Sequence, residues 1–237
     1  MKHLNLILII LILSCCPLHP VYAFLDKDIR LLTMRDGLAD NTIPCIYKDE
    51  DGFMWFGTDN GLSRYDGKTI QNFKPANTYV SIAAIVRLSD DFLGIVSDGY
   101  LYYFNRKQET FFPIHTESDT AIGVFNVLPA DNSSFWGISG NRLILCQWEI
   151  RQGKEEEKTA VRVRIQKTFQ LLEEKGEVFS SLCYHEKAGS GIWLTTNRGN
   201  LILFHPDTPE AYQKIPLTDG KPLQVTSILN RDGVVWV

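Results

Sequence analysis

The sequence repeats itself, and this repeat constrains the fold more than any other feature of the 237-residue chain. A shift of 39 residues aligns Ile43 with Ile82 and Leu62 with Leu101 without a gap. Later copies begin at Val124, Phe179 and Val225. A tryptophan recurs at one place in four copies: Trp55, Trp136, Trp193 and Trp236. A period of about 40–50 residues built from short strands predicts an all-β fold, a β-propeller with one four-stranded antiparallel blade per repeat.

The first copy shows how one unit is built. Residues 49–67 contain an apolar run between two turn dipeptides, Asp51-Gly52 and Asn60-Gly61. Both dipeptides suit tight hairpin turns. We place its strands near Ile43–Tyr47, Met54–Thr58, Leu62–Tyr65 and Ile70–Phe73. The lack of a 3.6-residue apolar period after the N-terminus argues against a helical solenoid, and a β-sandwich is the alternative.

The repeat also predicts the domain organisation. One propeller domain should cover residues 24–237, as an incomplete ring of about four and a half blades. The blades are expected at residues 43–77, 82–116, 124–172, 178–217 and 225–237, the last of them incomplete. The predicted strand Ile29–Thr33 has no blade of its own. We expect the isolated chain to self-associate, because an open ring leaves unpaired strand edges.

Residues 1–23 have the pattern of a secretory signal peptide. Lys2 and His3 precede the apolar run Leu4–Leu13, which is shorter than the ~20 residues of a membrane span. We predict cleavage between Ala23 and Phe24. A lipoprotein site at Cys15 is the alternative, although Leu13 is a poor residue in that motif.

The remaining composition excludes several classes of partner. Without the signal, 28 acidic residues face 23 basic ones, a net charge of −5. This balance argues against nucleic acid and against an anionic membrane surface as partners. The remaining cysteines, Cys45, Cys146 and Cys183, lie far apart in sequence and are read as small buried apolar residues.

No arrangement of residues indicates catalysis or metal binding. The stretch from Asp49 resembles a calcium loop, but Met54 stands where glycine is needed and Asn60 where glutamate is needed. Three histidines fall in different blades without metal-ligand spacing: His115, His185 and His205. We predict no catalytic residue, no metal and no cofactor, leaving a histidine site assembled in space as the alternative.

The recurring residues of the repeat are predicted to be structural. In the first copy they are Trp55, Gly57, Thr58, Gly61, Leu62, Tyr65, Asp66 and Gly67, and at the tryptophan position of later copies Trp136, Trp193 and Trp236. A ring that recurs at one place packs between blades. Trp148 lies outside this register, and both packing and ligand contact stay open for it.

Two further stretches allow both a structural and a functional interpretation. In Tyr100–Phe104, alternation places Leu101 and Tyr103 on one face and Tyr102 and Phe104 on the opposite face, which suits a doubly packed strand or a surface for sugar rings. In residues 161–166, three aliphatic residues alternate with Arg162, Arg164 and Gln166, which predicts a strand with one solvated face. A binding site for an acidic ligand along both arginines is the alternative.

Residues 36–67 closely resemble the opening of the two-component regulator propeller family, which is found at the N-terminus of bacterial hybrid two-component sensors. The resemblance covers about residues 24–237 and weakens in the second and third copies, where Gly94 replaces the tryptophan and Cys146 the tyrosine. It implies two periplasmic propellers, a β-sandwich, one membrane span, a histidine kinase and often a receiver and a DNA-binding domain. In the full-length protein the resemblance implies a homodimer anchored in the inner membrane.

Three functions follow as hypotheses. The first is a periplasmic sensing module, non-enzymatic in itself, which the resemblance suggests binds an oligosaccharide and regulates a downstream kinase and gene expression. The second is a secreted propeller enzyme acting on polysaccharides as a lyase or hydrolase, since fold does not decide function. The third is an inactive truncated fragment. The ligand-binding residues cannot be assigned from the sequence.

Overall fold

The computed structural model describes most of the chain beyond the predicted signal peptide: residues 30–74, 80–118, 121–151, 160–185, 191–218, 225, 228–231 and 234–237. The cleavage point between Ala23 and Phe24 lies outside these residues. The chain divides into two units, Met1–Leu32 and Thr33–Val237. Only residues 30–32 of the first unit are described, and they form no strand.

The second unit begins with a short 3-10 helix, Met34–Asp36. Thr33 caps it by accepting a hydrogen bond from the Arg35 amide, and the Asp36 carboxylate accepts one from the Thr33 amide in return. Thr33 keeps the extended backbone of an N-cap residue, with φ −137° and ψ 175°. Residues 30–33 form no strand, so the sequence prediction is wrong for the described part of Ile29–Thr33.

Two four-stranded antiparallel sheets follow, each with its strands in chain order. The first sheet contains β1 (Cys45–Lys48), β2 (Met54–Thr58), β3 (Gly61–Tyr65) and β4 (Ile70–Phe73). The second contains β5 (Ile82–Arg87), β6 (Phe92–Ser97), β7 (Tyr100–Asn105) and β8 (Thr110–Pro113). The strands predicted for the first copy are confirmed, except that β1 starts two residues later, after Pro44, which has no backbone N–H to donate.

The third sheet is larger than its neighbours. It contains β9 (His115–Thr116), β10 (Asn126–Pro129), β11 (Ser134–Ser139), β12 (Arg142–Arg151) and β13 (Ala160–Gln170), in the order β10-β11-β12-β13-β9. The short strand β9 runs parallel to β13 and covers part of its outer edge. The connection between β12 and β13, residues 152–159, lies outside the described residues.

The fourth sheet returns to four strands, and two strands are described in the fifth. The fourth contains β14 (Phe179–Tyr184), β15 (Ile192–Thr196), β16 (Asn200–Phe204) and β17 (Gln213–Pro216). The fifth contains β18 (Leu229–Arg231) and β19 (Val234–Trp236). The first strands of consecutive sheets, β1, β5, β10, β14 and β18, lie next to one another. The fold is an all-β propeller of four-stranded antiparallel blades, as the repeat predicts.

A separate apolar cluster fills each junction between consecutive sheets. Trp55 packs between the first and second sheets, Trp136 between the third and fourth, and Trp193 between the fourth and fifth. The second sheet has Gly94 at this position. In the cluster between the second and third sheets, the large ring comes instead from Trp148 of β12, stacked on Phe135. Trp148, which the sequence left open, is thus a packing residue.

Candidate functional site

Asp49 is a buried carboxylate at the junction of the first and second sheets. It lies in the turn between β1 and β2, and its side chain is 3% exposed. Asp49 accepts hydrogen bonds from the Phe53 amide at 2.8 Å and from the indole Nε1 of Trp55 at 2.7 Å. The first bond closes the turn, and the second fixes the ring of the fully buried Trp55. The calcium-like stretch is therefore a turn, as the sequence indicates, and its buried carboxylate accepts a hydrogen bond from a core tryptophan.

Arg106 ties this turn to the second sheet. It lies in the turn between β7 and β8, and its Nη2 donates to Asp49 at 3.0 Å and to Asp51 at 2.6 Å. Its Nη1 donates to the carbonyl of Asp90 at 2.8 Å, in the turn between β5 and β6. A planar guanidinium can serve several acceptors at once because its five N–H groups point in fixed directions. Arg106 therefore joins three turns from two sheets.

A cleft of about 510 Å³ opens over these turns, a size typical of small-ligand sites. Its acidic lining residues are Asp49, Glu50, Asp51, Asp90 and Asp91. Its basic lining residues are Arg64, Arg87, Arg106 and Lys107. Five acidic groups against four basic ones leave the cleft close to neutral. It therefore does not attract a strongly charged ligand of either sign.

The ion pairs at the rim of the cleft are exposed. Arg87 contacts Glu50 and Asp90, and Lys107 contacts Asp91 at 2.8 Å. Exposed pairs of this kind contribute little to stability, about 0–1 kcal/mol. Their donors and acceptors can therefore exchange partners with the hydroxyl groups of a ligand at small cost.

One aromatic residue, Tyr47, lines the cleft, and the lining residue Arg64 contacts further rings beside it. Burial raises the pKa of Tyr47, so its phenol stays protonated at neutral pH and can donate a hydrogen bond. The guanidinium of Arg64 lies over three rings, with its central carbon 5.2 Å from the centre of Phe53, 5.5 Å from that of Trp55 and 5.3 Å from that of Phe73. This cation–π contact holds Arg64 at the edge of the cleft.

A second, smaller groove of about 330 Å³ lies on the outer part of the third sheet. Arg162 donates to the carbonyl of Thr116 at 3.0 Å, and Arg164 contacts Glu117 at 2.5 Å. Both arginines therefore have partners within the chain. The alternation predicted here holds for Val161 and Val163, which are buried, but not for Ile165, which is exposed. A register shift follows directly after Ile165, because Ile165 pairs with Cys146 and Lys167 with Leu145.

The repeat residues of the first copy build one hairpin. The Thr58 hydroxyl donates to the Gly61 carbonyl at 2.8 Å and accepts from the Asn60 amide, which closes the turn between β2 and β3. Leu62 is fully buried on β3. The Tyr65 hydroxyl donates to the Gly67 carbonyl at 2.6 Å, and Asp66 accepts two backbone N–H bonds from the following turn. Gly57 on β2 lies directly against Ile82 of the next sheet.

The tryptophans of the repeat do not all have the same environment. Trp55, Trp136 and Trp193 are buried, whereas Trp236 is 63% exposed. Trp236 lies on β19, and no strand follows it in the described chain to cover its ring. The inter-blade packing predicted for Trp236 is therefore not seen there. Trp193 donates its indole N–H to Nδ1 of His185 at 2.9 Å, much as Trp55 donates to Asp49.

The cysteines and histidines form no reactive site in the part of the chain described. Burial raises the pKa of Cys45 and of Cys146 to about 12, and it raises the pKa of Cys183 as well. All three are therefore neutral thiols at physiological pH, which are poor nucleophiles and poor metal ligands. His115 lies on β9 of the third sheet, whereas His185 and His205 follow β14 and β16 of the fourth sheet and both lie next to Gly191, so the prediction that the three histidines fall in different blades is wrong. The described residues contain no cluster of three or more metal-ligating side chains.

Residues 37–60 match the family model of the two-component regulator propeller. The chain carries a two-component regulator propeller repeat. The matched residues include Asp49 and Trp55, so the hydrogen bond between them lies inside the repeat. No curated protein matches the chain. Among the described residues, none forms a helix long and apolar enough to cross a bilayer.

Three solved structures show what the fold is similar to. The extracellular domain of a candidate hybrid two-component system, BT3049 from B. thetaiotaomicron, matches with a TM-score of 0.55 at 17% identity, over 87% of this chain and 33% of that one. The extracellular domain of BT4673 from the same organism matches with a TM-score of 0.53 at 17% identity, over 82% and 30%. YCF48 bound to D1 peptide matches with a TM-score of 0.51 at 18% identity, over 79% and 57%.

These similarities establish the propeller fold and no more, because the identities are low. The chain spans about a third of the length of the two B. thetaiotaomicron domains. The match to the two-component regulator propeller covers β1 and β2 of the first sheet.

Sequence reasoning missed the group that organises the cleft. The sequence pattern marks Asp49 only as a turn residue and does not mark Arg106. The signal for Asp49 was available, since it stands six residues before the repeat tryptophan and its side chain can reach back to the indole. No local pattern marks Arg106, which meets Asp49 only because the second sheet packs against the first.

Proposed function

We propose that this chain is the ligand-sensing propeller module of a two-component signal-transduction sensor. The observation that carries the proposal is the two-component regulator propeller repeat at residues 37–60. The fold shared with extracellular domains of candidate hybrid two-component systems supports it. The module itself performs no chemistry: its role is to bind a ligand outside the cytoplasm, in the periplasm, and to regulate a histidine kinase in the full-length protein.

The ligand we propose is a neutral oligosaccharide, bound in the cleft between the first and second sheets. The near-balance of charge in this cleft suits an uncharged ligand that both donates and accepts hydrogen bonds. Arg87 and Glu50 offer exposed groups of both kinds at the rim, and Tyr47 offers a phenol with an apolar ring.

Signalling would follow from a difference in affinity. A ligand shifts a conformational equilibrium only by as much as it binds one state better than the other. In a dimeric sensor, which we propose for the full-length protein, ligand bound to the module would favour one arrangement of the two ectodomains. That arrangement would then set the activity of the kinase.

The test is incubation of the purified protein with a panel of plant and host glycans, followed by two measurements. Calorimetry measures saturable heat of binding, and an assay for new reducing ends or unsaturated products measures turnover. The proposal expects binding without product for at least one glycan of the panel. Product release would instead establish a polysaccharide-degrading enzyme, and the absence of binding to every glycan would contradict an oligosaccharide ligand.

A variant tests whether the cleft is the contact surface. Arg87→Ala removes an exposed rim donor without touching the core, so the protein should keep its melting temperature and lose about tenfold in affinity, the equivalent of one charge-assisted hydrogen bond. Arg151→Ala, an exposed arginine on the third sheet, is the matched control and should bind as the wild type. Equal affinities for all three proteins would exclude the rim of the cleft.

A further inference from the structure

Two aromatic side chains lie exposed at the end of the sheets opposite to the cleft. Tyr100 begins β7 and is 49% exposed, and Phe125 precedes β10 and is 60% exposed. The cleft is formed by the turns after β1, β5 and β7, whereas Tyr100 lies at the turn after β6. Successive turns of an antiparallel sheet lie at opposite ends. The two aromatic residues therefore belong to a surface separate from the cleft.

The backbone brings these residues together. Tyr100 forms an isolated β-bridge with Gly123, and the Val124 amide donates to the Gly99 carbonyl at 2.7 Å. The turn that contains Gly99 is tight, with φ values of 49° at Asp98 and 80° at Gly99. Gly99 and Val124 are therefore hydrogen-bonded across the junction between the second and third sheets. Tyr100 directly follows Gly99, and Phe125 directly follows Val124.

The ring of Phe125 packs directly against Gly99. A Cβ atom placed on Gly99 would lie only 3.3 Å from Cε1 of Phe125. The ring therefore rests against the bare Cα of the turn, and its other side faces solvent. Because Gly99 has positive φ and because the ring occupies the space above it, a side chain at this position would both strain the turn and move the ring.

The core does not account for either ring. Their neighbours Leu101 and Val124 are buried, and both belong to the apolar cluster between the second and third sheets, which includes neither Tyr100 nor Phe125. The repeat aligns Phe125 with Ala83 and Ser180, so a small residue serves at the same place in the neighbouring sheets. In addition, the Tyr100 hydroxyl has no hydrogen-bond partner among the residues that the structure describes. Among the described residues, both rings are exposed and neither belongs to an apolar cluster of the core.

We propose that Tyr100 and Phe125 form a stacking platform for a pyranose ring, which deepens the proposed function and depends on its oligosaccharide ligand. Sugar rings present flat faces of C–H groups, which are attracted to the negative faces of aromatic rings. The Tyr100 hydroxyl and the exposed carboxylate of Asp98 lie on the same turn and offer hydrogen bonds to sugar hydroxyls. A protein partner fits less well, because two rings supply at most ~150–250 Å² each, against about 800 Å² per partner in a stable interface.

The experiment compares four proteins on one panel of probes. Wild type, Phe125→Leu, Phe125→Tyr and Tyr100→Ala are titrated with xylohexaose, cellohexaose, mannohexaose and galactohexaose by calorimetry. Phe125→Leu keeps an apolar side chain and removes the aromatic face, whereas Phe125→Tyr keeps the face. A hexaose should bind the wild type at two sites, the cleft and the platform, and the affinity of one of the two should fall by about tenfold in Phe125→Leu and in Tyr100→Ala and change less than about twofold in Phe125→Tyr.

The outcomes separate this proposal from the proposed function. If the wild type binds a hexaose and Phe125→Leu binds it equally well, the platform is wrong and the oligosaccharide sensor stands. If the wild type binds no hexaose, both the platform and the oligosaccharide ligand are contradicted for these sugars. Light scattering on the same samples adds a third result: a change of mass in Phe125→Leu would identify the surface as a protein interface and overturn the proposal.

Discussion

At the scale of single residues, the repeat stabilises the fold through hydrogen bonds to its tryptophan ring. Trp55 donates to a buried carboxylate, Asp49, and Trp193 donates to an imidazole, His185. The indole N–H needs an acceptor when the ring is buried, and an unmet donor costs about 1–3 kcal/mol. The turn before the tryptophan supplies this acceptor in both sheets, although the residue type differs.

The first prediction concerns the carboxylate. Asp49→Ala should lower the free energy of unfolding by about 3 kcal/mol, because it leaves the Trp55 indole and the Arg106 guanidinium without their shared acceptor. Urea unfolding followed by circular dichroism measures this. Asp51→Ala is the control: its side chain is exposed and also contacts Arg106, so it should cost less than about 1 kcal/mol. Equal losses in both variants would show that the ion pair, and not the buried acceptor, matters.

The second prediction compares two tryptophans of the repeat. Trp55→Ala should cost about 3–5 kcal/mol, as other buried aromatic residues do, because it empties the cluster between the first two sheets. Trp236→Ala should change stability by less than about 1 kcal/mol because its ring is exposed. Thermal or urea unfolding of both variants is the measurement. A small loss in Trp55→Ala would reopen a role for this ring in ligand binding.

The third prediction concerns pH and Glu177, a buried carboxylate before β14. Burial alone would raise its pKa, but hydrogen bonds from Asn200, Thr196 and Lys214 outweigh burial and lower the pKa below the ordinary 4.5. A lowered pKa in the folded state stabilises the protein above the unfolded value, and that stability is lost as the pH falls below it. We therefore expect the stabilisation that Glu177 contributes to be lost progressively as the pH falls below about 4.5.

The measurement for Glu177 is the urea midpoint at pH 7 and at pH 3.5 for wild type and Glu177→Gln. The variant keeps an acceptor but has no charge to titrate, so the difference in urea midpoint between wild type and variant should be smaller at pH 3.5 than at pH 7. Taking the difference removes the contribution of other carboxylates with lowered pKa, such as Asp131 and Glu117. A gap that stays constant between the two pH values would contradict the assignment.

At the scale of strands and sheets, the repeat sets the close approach of neighbouring blades. Gly57 on β2 shows this most directly, since a Cβ atom there would lie 2.7 Å from Cγ2 and 2.8 Å from the carbonyl oxygen of Ile82, and closer still to the sulfur of Cys45. Real Cβ contacts do not reach such distances, so the second strand can approach β5 only without a side chain.

The fourth prediction follows from this contact. Gly57→Ala should destabilise the protein by about 2–3 kcal/mol, because β5 must move to make room for the methyl group. Gly123→Ala is the matched control, since its nearest neighbour would be 3.9 Å away and its φ is not positive. Melting temperatures of the two variants decide the matter, and equal melting temperatures would mean that the first two sheets separate easily at this point.

At the scale of the whole molecule, stability is distributed over the junctions between sheets. The cluster between the second and third sheets is extensive and includes buried residues from every strand of the second sheet except β8. The cluster between the fourth and fifth sheets is small, and Leu229, Val234 and Trp236 of the fifth sheet are exposed. Regions with few buried contacts open more often than the core does.

The fifth prediction is a gradient of hydrogen exchange. Backbone amides of β6, β7 and β11 should exchange slowest, and those of β18 and β19 should exchange about two orders of magnitude faster or more. Hydrogen–deuterium exchange read by mass spectrometry on peptides from each sheet measures this. Uniform protection across all five sheets would show that the propeller opens only as a single cooperative unit.

The sequence by itself determined the repeat and, through it, the sheets. Strand positions in the first copy follow from apolar runs between turn dipeptides, because both signals are local to the chain. Tyr100–Phe104 likewise packs Leu101 on one face and Phe104 on the other, as the alternation predicts. The sequence prediction was wrong at residues 30–33, which form no strand, and at Ile165, whose side chain is exposed.

Only the tertiary structure decided which residues form the cleft and the aromatic platform. Asp49 and Arg106 are 57 residues apart, and Phe125 meets Gly99 only because the third sheet packs beside the second. The parallel strand β9 also depends on this packing, since it pairs with a strand more than 40 residues later in the chain. Contacts of this kind leave no local pattern, because they join residues that are far apart in the chain and belong to different sheets.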